Sequence, residues 1–411
     1  MTFYGWLVIA LFLGSALFTT GLSILNYRAR NQAIPESVAD IYPEAKYKKW
    51  LGYFMDNFRF GMVRHGVNTL LIVVMLLLGV FGGILTMVGS WTSDATLRIL
   101  LFVGVYAFLS TLLETVFGYY HTFHIEQKHG FNKMTKKTFF LDRLKGLLLM
   151  IVLGGGLLYL LVVLYQHMGN YFYLAAFLVM VVINVISNIL YVPLIVPMFN
   201  KLKPLEEGTL KEKIVAFATS AGYEVGKIKV MDASRRSTKL NAYFSGFGKM
   251  KSIVLYDTLI EKMSEDEIIA VLAHEIGHNK LGHIVKGLLQ SLVVLGLYIV
   301  GMGLLLNAPA FYTPFGFSNV FFGFALILFL IMMSPLEIIL GYLVNWISRT
   351  HEFEADAYSA KHVGKEPMIS ALKTLAKANF SNLTPHPWFV KLEYSHPTTA
   401  ARIEAIQKIS E

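Results

Sequence analysis

Residues 264–306 read SEDEIIAVLAHEIGHNKLGHIVKGLLQSLVVLGLYIVGMGLLL, and two regimes meet inside this stretch. Ser264 followed by three acids is a helix start, with a side-chain oxygen for the first free N–H groups and negative charge against the helix dipole. The polar helix carries His274-Glu275-Ile276-Gly277-His278, two histidines one turn apart on one face. From residue 284 onward the chain is mostly apolar for 23 positions, enough to cross a hydrocarbon core about 30 Å thick. The histidine pair is therefore delivered to the edge of a membrane.

Six further stretches pass the same test, so spans are expected at 4–26, 67–89, 98–118, 146–166, 171–198, 284–306 and 321–347. The first has no preceding basic residue and no convincing small-residue cleavage signal, and it reads as an uncleaved span rather than a signal peptide. Of the 36 Lys and Arg residues, 34 fall in alternate connections and the tail, and Lys286, just inside the sixth span, stands on that same side. That bias puts the N-terminus outside and the C-terminus in the cytoplasm. It also accounts for the net charge of +9 without nucleic acid. With 55% hydrophobic and 15% charged residues and a mean hydropathy of +0.55, the chain is neither disordered nor an ordinary soluble protein. It has no cysteine, which removes disulfides, thiolate ligands and a Cys nucleophile.

Glu114, Asn184, Ser187, Asn188 and Glu337 lie at membrane depth, as interhelical contacts or as the lining of a polar chamber. The fold class expected is an all-α polytopic membrane protein with a small cytoplasmic subdomain. It divides into 1–198 (spans one to five with their loops), 199–283 (the cytoplasmic subdomain with short strands and the His-pair helix), 284–347 (spans six and seven) and 348–411 (a helical tail). Within 199–283 an amphipathic helix ends near Gly222, and KIKVMD, NAYFSGF and SIVLYDTLI read as short strands. The tail breaks around Thr384–Pro387 and Ser395–Pro397.

Two imidazoles at this spacing suit one zinc ion, with Glu275 placed to take a proton from its water. A third ligand is needed. His283 is five residues past His278 and turned off the ligand face, and His351 is a weaker candidate. Glu352 fits better, because the seventh span returns the chain to the face where the histidines stand. Asp356, one turn on, suits the free N–H of a ligand histidine, and Glu354 is expected to be solvated.

The chain resembles the type I CAAX prenyl proteases over nearly its whole length. The resemblance rests on HEIGH with NKLGH, on YYHTFHIEQKHGFNKMT at 119–135 and on SRRSTKLNAYFSGFGKMKSIVLYDTLI at 234–260. It extends to SRTHEFEADAYSAK at 348–361 and YSHPTTAARIEAI at 394–406. It implies seven helices around a hollow chamber, zinc on His274, His278 and Glu352, and Glu275 as base. It further implies that His396 reaches the scissile carbonyl, that Arg402 lies near the site and binds substrate or supports His396, and that Asn241-Ala242-Tyr243 form a substrate-binding edge strand. The implied partners are a peptide or protein substrate, prenylated at its C-terminus, and the lipid bilayer. The compact loops favour a bacterial inner membrane, with the endoplasmic reticulum membrane as the eukaryotic counterpart. A bacterial setting leaves a second substrate class open, misfolded or jammed membrane proteins without a prenyl group. A transporter or chaperone with structural zinc is a further rival, one with no use for Glu275.

Overall fold

The computed structural model describes residues 1–223, 227–245 and 252–410. Seven helices in it are long and apolar enough to cross a bilayer. They are α1 (Phe3–Ala29), α2 (Glu44–Leu77), α4 (Ala95–Tyr120, continued by a π turn), α5 and α6 (Lys136–Leu149 and Gly155–His167, joined by another), α7 (Phe172–Leu190), α12 (His283–Leu306) and α13 (Phe322–Val363). α7 runs on through a third π turn into α8 (Val196–Phe199). One expected span is divided: where 67–89 read as continuous, α2 stops at Leu77 and α3 (Val80–Trp91) restarts after Gly79, whose φ of 66° interrupts the helix. The membrane core gathers around buried Phe81, Phe102, Phe315 and Phe324.

Two of the intramembrane polar groups take the two roles expected of them, whereas Asn188 bonds back to Asn184 within α7. Glu114 holds α2 to α4, accepting from Arg64 Nη2 at 2.6 Å and Asn68 Nδ2 at 3.2 Å. Glu337 instead lines a cavity of about 510 Å³ between α1, α2 and α13, shared with His65 and Glu393.

At one end of the bundle sits a four-stranded sheet in the order β1 (Leu202–Pro204), β2 (Lys227–Met231), β4 (Ser252–Tyr256), β3 (Ala242–Ser245). β2 and β4 run parallel, with β1 and β3 antiparallel at the edges. The sequence reading missed β1, only three residues long and ending in a proline. It also overran β4: SIVLYDTLI turns helical at Asp257, entering α10 (Asp257–Lys262), because Asp257 accepts from the N–H groups of Ser234 and Thr258. Residues 246 and 247 of NAYFSGF lie outside the described residues. The lead-in to β3 is pinned to the bundle: Lys239 Nζ donates to Tyr53 Oη (3.0 Å) and Glu126 Oε1 (3.2 Å), and Asn379 bonds both backbone groups of Leu240.

The histidine helix α11 (Glu265–Lys280) packs between these parts. Its inner face, from Ile268 to Ile276, joins a second core with α9 (Thr209–Ser220), α14 (Lys365–Asn379) and α16 (Thr399–Gln407). Gly277 is where α13 comes closest, and a Cβ there would meet Tyr358 Cβ at 3.0 Å. At the N-terminus Ser264 and Glu267 form a reciprocal capping box. Glu267 does more: Oε1 accepts from Ser370 (2.6 Å) and Thr374 (2.8 Å) on α14 while Oε2 accepts from the Ser264 N–H (2.8 Å). Burial alone would raise this carboxyl, but those hydrogen bonds outweigh it and hold the group below the usual carboxylate range.

A carboxylate with depressed folded pKa stabilises the fold above the unfolded value of about 4.3, and that contribution is lost as pH falls through the folded value. Glu267→Ala, which strands two hydroxyls and an N–H, is expected to cost about 1–3 kcal/mol. Thermal unfolding followed between pH 3.5 and 7 checks this, and the variant should lose the part of the native pH dependence that Glu267 supplies.

Candidate metal centre

Three helices build the centre. α11 supplies His274 and His278, buried and half-buried on one face. α13, 42 residues long, extends past the membrane and carries Glu352 and Asp356 on its buried side. The loop between α15 (Pro387–Glu393) and α16 supplies His396, and α16 supplies Arg402. That loop is tied down by α13: Asn345 Nδ2 donates to the Leu392 carbonyl (2.7 Å), and Arg349 Nη1 donates to those of Val390 (3.0 Å) and Tyr394 (2.6 Å).

Nε2 of His274 and Nε2 of His278 stand 3.1 Å apart, and the Glu352 oxygens lie 3.3 Å and 3.5 Å from them. Donors about 2.0–2.1 Å from one ion at tetrahedral angles are separated by roughly 3.3 Å, so the two nitrogens and the carboxylate have the spacing a metal ion needs. Glu352 Oε2 is buried without a hydrogen bond, and Arg402 Nη1 is 3.3 Å away. A buried carboxylate whose Oε2 lacks a hydrogen bond, with an imidazole nitrogen near each of its oxygens, fits a cation between the three side chains.

Asp356, 1% exposed, accepts from His274 Nδ1 at 2.8 Å and from Arg402 Nε (2.7 Å) and Nη2 (2.6 Å). Burial would lower the Arg402 pKa, but the bidentate contact with Asp356 reverses this and raises it, so the guanidinium keeps its charge. Arg402 is thus committed to Asp356, a partner that sequence reasoning did not give it; only a buried arginine's need for an acid could have hinted at the pairing.

His396, its side chain 64% exposed, approaches from the open side, with Nε2 3.3 Å from Glu352 Oε1 and Nδ1 2.9 Å from Ser395 Oγ. Glu275 lies on the same helix, partly exposed, in a setting whose burial pushes its carboxyl upward against the charges of His274 and His278. Asn241 is exposed and its Oδ1 accepts from the N–H of Ala242 (2.9 Å). Ala242 and Tyr243 begin β3, a sheet edge that packs on α11. His283 is not among the three converging donors, as its spacing implied. Glu354 departs from expectation: although 45% exposed, it bonds His283 Nε2 at 2.7 Å. His351 stacks on His283 with centroids 4.0 Å apart.

A histidine pair and a glutamate converging at the end of a seven-helix membrane bundle define a membrane-embedded metallopeptidase. Residues 23–201 match the family model for the CAAX prenyl protease N-terminal region, five membrane helices, and residues 204–410 match that of peptidase family M48. The chain belongs to peptidase family M48. The CAAX prenyl protease 1 homolog of Oryza sativa subsp. japonica is 34% identical over 401 residues, covering 95% of this chain and 94% of that protein. CAAX prenyl protease 1 of Saccharomyces cerevisiae is 36% identical over 330 residues, 76% of this chain and 72% of its own. The crystal structure of S. mikatae Ste24p superimposes with a TM-score of 0.94 at 30% identity, over 99% of each chain.

Replacing Arg402 by Met removes two hydrogen bonds from a fully buried carboxylate. The expected cost is about 3–5 kcal/mol, the cost of breaking a buried pair from one side. Thermal unfolding should show it, and Asp356→Asn combined with Arg402→Met should recover part of the loss.

Proposed function

We propose that this metallopeptidase is a zinc endopeptidase that removes the C-terminal aaX tripeptide from prenylated CaaX proteins. The observation that carries the reading is the convergence of the two imidazole nitrogens of His274 and His278, 3.1 Å apart, on the two Glu352 oxygens, at 3.3 Å and 3.5 Å, with His396 Nε2 3.3 Å from Glu352 Oε1. Nitrogen and carboxylate donors without any thiolate suit a single zinc ion held by three protein ligands with one position open. Bound there, zinc supplies a Lewis acid for the scissile carbonyl and makes water acidic enough to react near neutral pH.

The chain's own groups do the rest. Glu275 takes the proton from the attacking water on a carboxylate oxygen and delivers it to the leaving amine. With the Ser395 hydroxyl donating to His396 Nδ1, the ring carries its proton on Nε2 and offers it to the oxyanion. Asp356 holds His274 in the Nδ1–H form, leaving Nε2 for the metal, and Arg402 serves the site through Asp356 and through its 3.3 Å contact with Glu352 Oε2. Asn241, Ala242 and Tyr243 present an edge to which an extended substrate adds by main-chain hydrogen bonds. In this reading residues 1–198 and 284–347 house the substrate's membrane-bound part, and 199–283 with 348–411 carry the chemistry. A prenyl chain lies among the membrane helices, gaining about 0.8 kcal/mol per buried CH₂. The charge bias of the loops sets the N-terminus outside and the site on the cytoplasmic face, whether of a bacterial inner membrane or of the endoplasmic reticulum.

The test is hydrolysis of a farnesylated CaaX peptide and its unprenylated twin, with products mapped by mass spectrometry. Tripeptide release should depend on zinc, stop on chelation and return on zinc addition. Glu275→Gln should reduce kcat by about 10²–10⁴ with zinc still bound. His396→Ala should reduce it by about 10²–10³. Equal cutting of both peptides would replace CaaX processing with clearance of unprenylated membrane proteins. An active Glu275→Gln variant would remove the mechanism.

A further inference from the structure

α11 ends at Lys280, and after Leu281 the chain passes through Gly282, whose φ of 71° is left-handed. On an unbroken helix His283 would stand about 140° around from His278. The glycine break re-aims it, so that His283 Nδ1 lies 2.9 Å from His278 Nδ1, behind the ring rather than beside its metal-facing edge. His283 is nearly inaccessible, and its other nitrogen, Nε2, meets Glu354 Oε2 at 2.7 Å.

This chain of contacts has one consistent set of protons. His278 Nε2 faces His274 and Glu352 and must offer a lone pair to a metal there, so a neutral His278 carries its proton on Nδ1. That N–H donates to His283 Nδ1, which must then be the acceptor. His283 keeps its own proton on Nε2 and donates it to Glu354. We infer that His283 and Glu354 are positioning residues that orient His278 and fix its tautomer, as Asp356 does for His274. The two ligand histidines are thus held by carboxylates, one directly and one through an imidazole.

The same order of protons settles what the neighbouring group does. Donor atoms of His283, His351 and Glu354 lie within 4.8 Å of one another, close enough to suggest a second ion. A second ion on His283 Nε2 would send that ring's proton to Nδ1, against the N–H of His278. With the first site filled, the pair of Nδ1 atoms cannot both carry hydrogen at 2.9 Å. The cluster is a relay and takes no second metal.

The inference rests on the metal reading above, and its test reads zinc rather than turnover. Full-length protein in detergent is loaded with zinc, its stoichiometry measured by elemental analysis and its zinc release timed with a chromophoric chelator. His283→Phe should bind zinc about 10–100-fold more weakly. His283→Gln, which can accept from Nδ1–H and donate onward, should recover most of that loss. Glu354→Ala, a change at a half-exposed position, should weaken binding in the same direction by less, and it serves if His283→Phe does not fold. Native protein in excess zinc should hold one ion. Native-like retention in His283→Phe or Glu354→Ala, a Gln variant as weak as Phe, or a second bound equivalent would overturn the relay. A native protein that takes up no zinc would overturn the metal reading itself, and with it this one.

Discussion

A carboxylate as deeply buried as Asp356 survives only if its charge is answered, and the answers come from three separate stretches of chain. His274 arrives on α11, Arg402 on α16, and Asp356 itself on the extension of α13. Removing any partner leaves a charge or donor stranded where water does not reach. The convergence therefore fixes how the three helices meet, and the metal-facing atoms inherit their positions from it. Gly277 permits the approach, since the backbone of α11 must come within a side chain's width of Tyr358.

The long α13 carries out two tasks that are usually separate. Its first half packs Phe322, Phe324 and Leu328 into the membrane core, and its second half presents Glu352 and Asp356 to the histidine helix. At 1.5 Å per residue its 42 residues extend about 63 Å, twice the thickness of a hydrocarbon core. The soluble core around α11, α14 and α16 is thereby joined to the bundle by continuous helix rather than by a linker.

Much of this was legible in the sequence because the membrane imposes simple rules. Seven apolar runs gave seven crossing helices, and the obligation to return on the same face brought Glu352 to His274 and His278 across 73 intervening residues. What stayed hidden depended on local breaks or tertiary partners. Gly79 and Gly282 are both left-handed turns inside helical sequence, one dividing a span and the other re-aiming His283. Nothing in the spacing of Glu354 reveals that a histidine from another helix lies beside it. Strand β1, three residues with a terminal proline, has too little pattern to declare itself.

Pro335 sits inside α13, where it deprives the helix of one hydrogen bond and makes a natural bending point. From there to Glu352 is a rigid arm of about 25 Å, so one degree of tilt moves the carboxylate by about 0.4 Å. His274 and His278 stand on a different helix, tied to that arm by the His274–Asp356 contact and by the close approach of Gly277 to Tyr358. Membrane helices tilt to match their hydrophobic length to the surrounding lipid. A tilt of α13 to match the bilayer is therefore passed to α11 and α16 through these contacts, so the membrane and the donor set share one rigid connection.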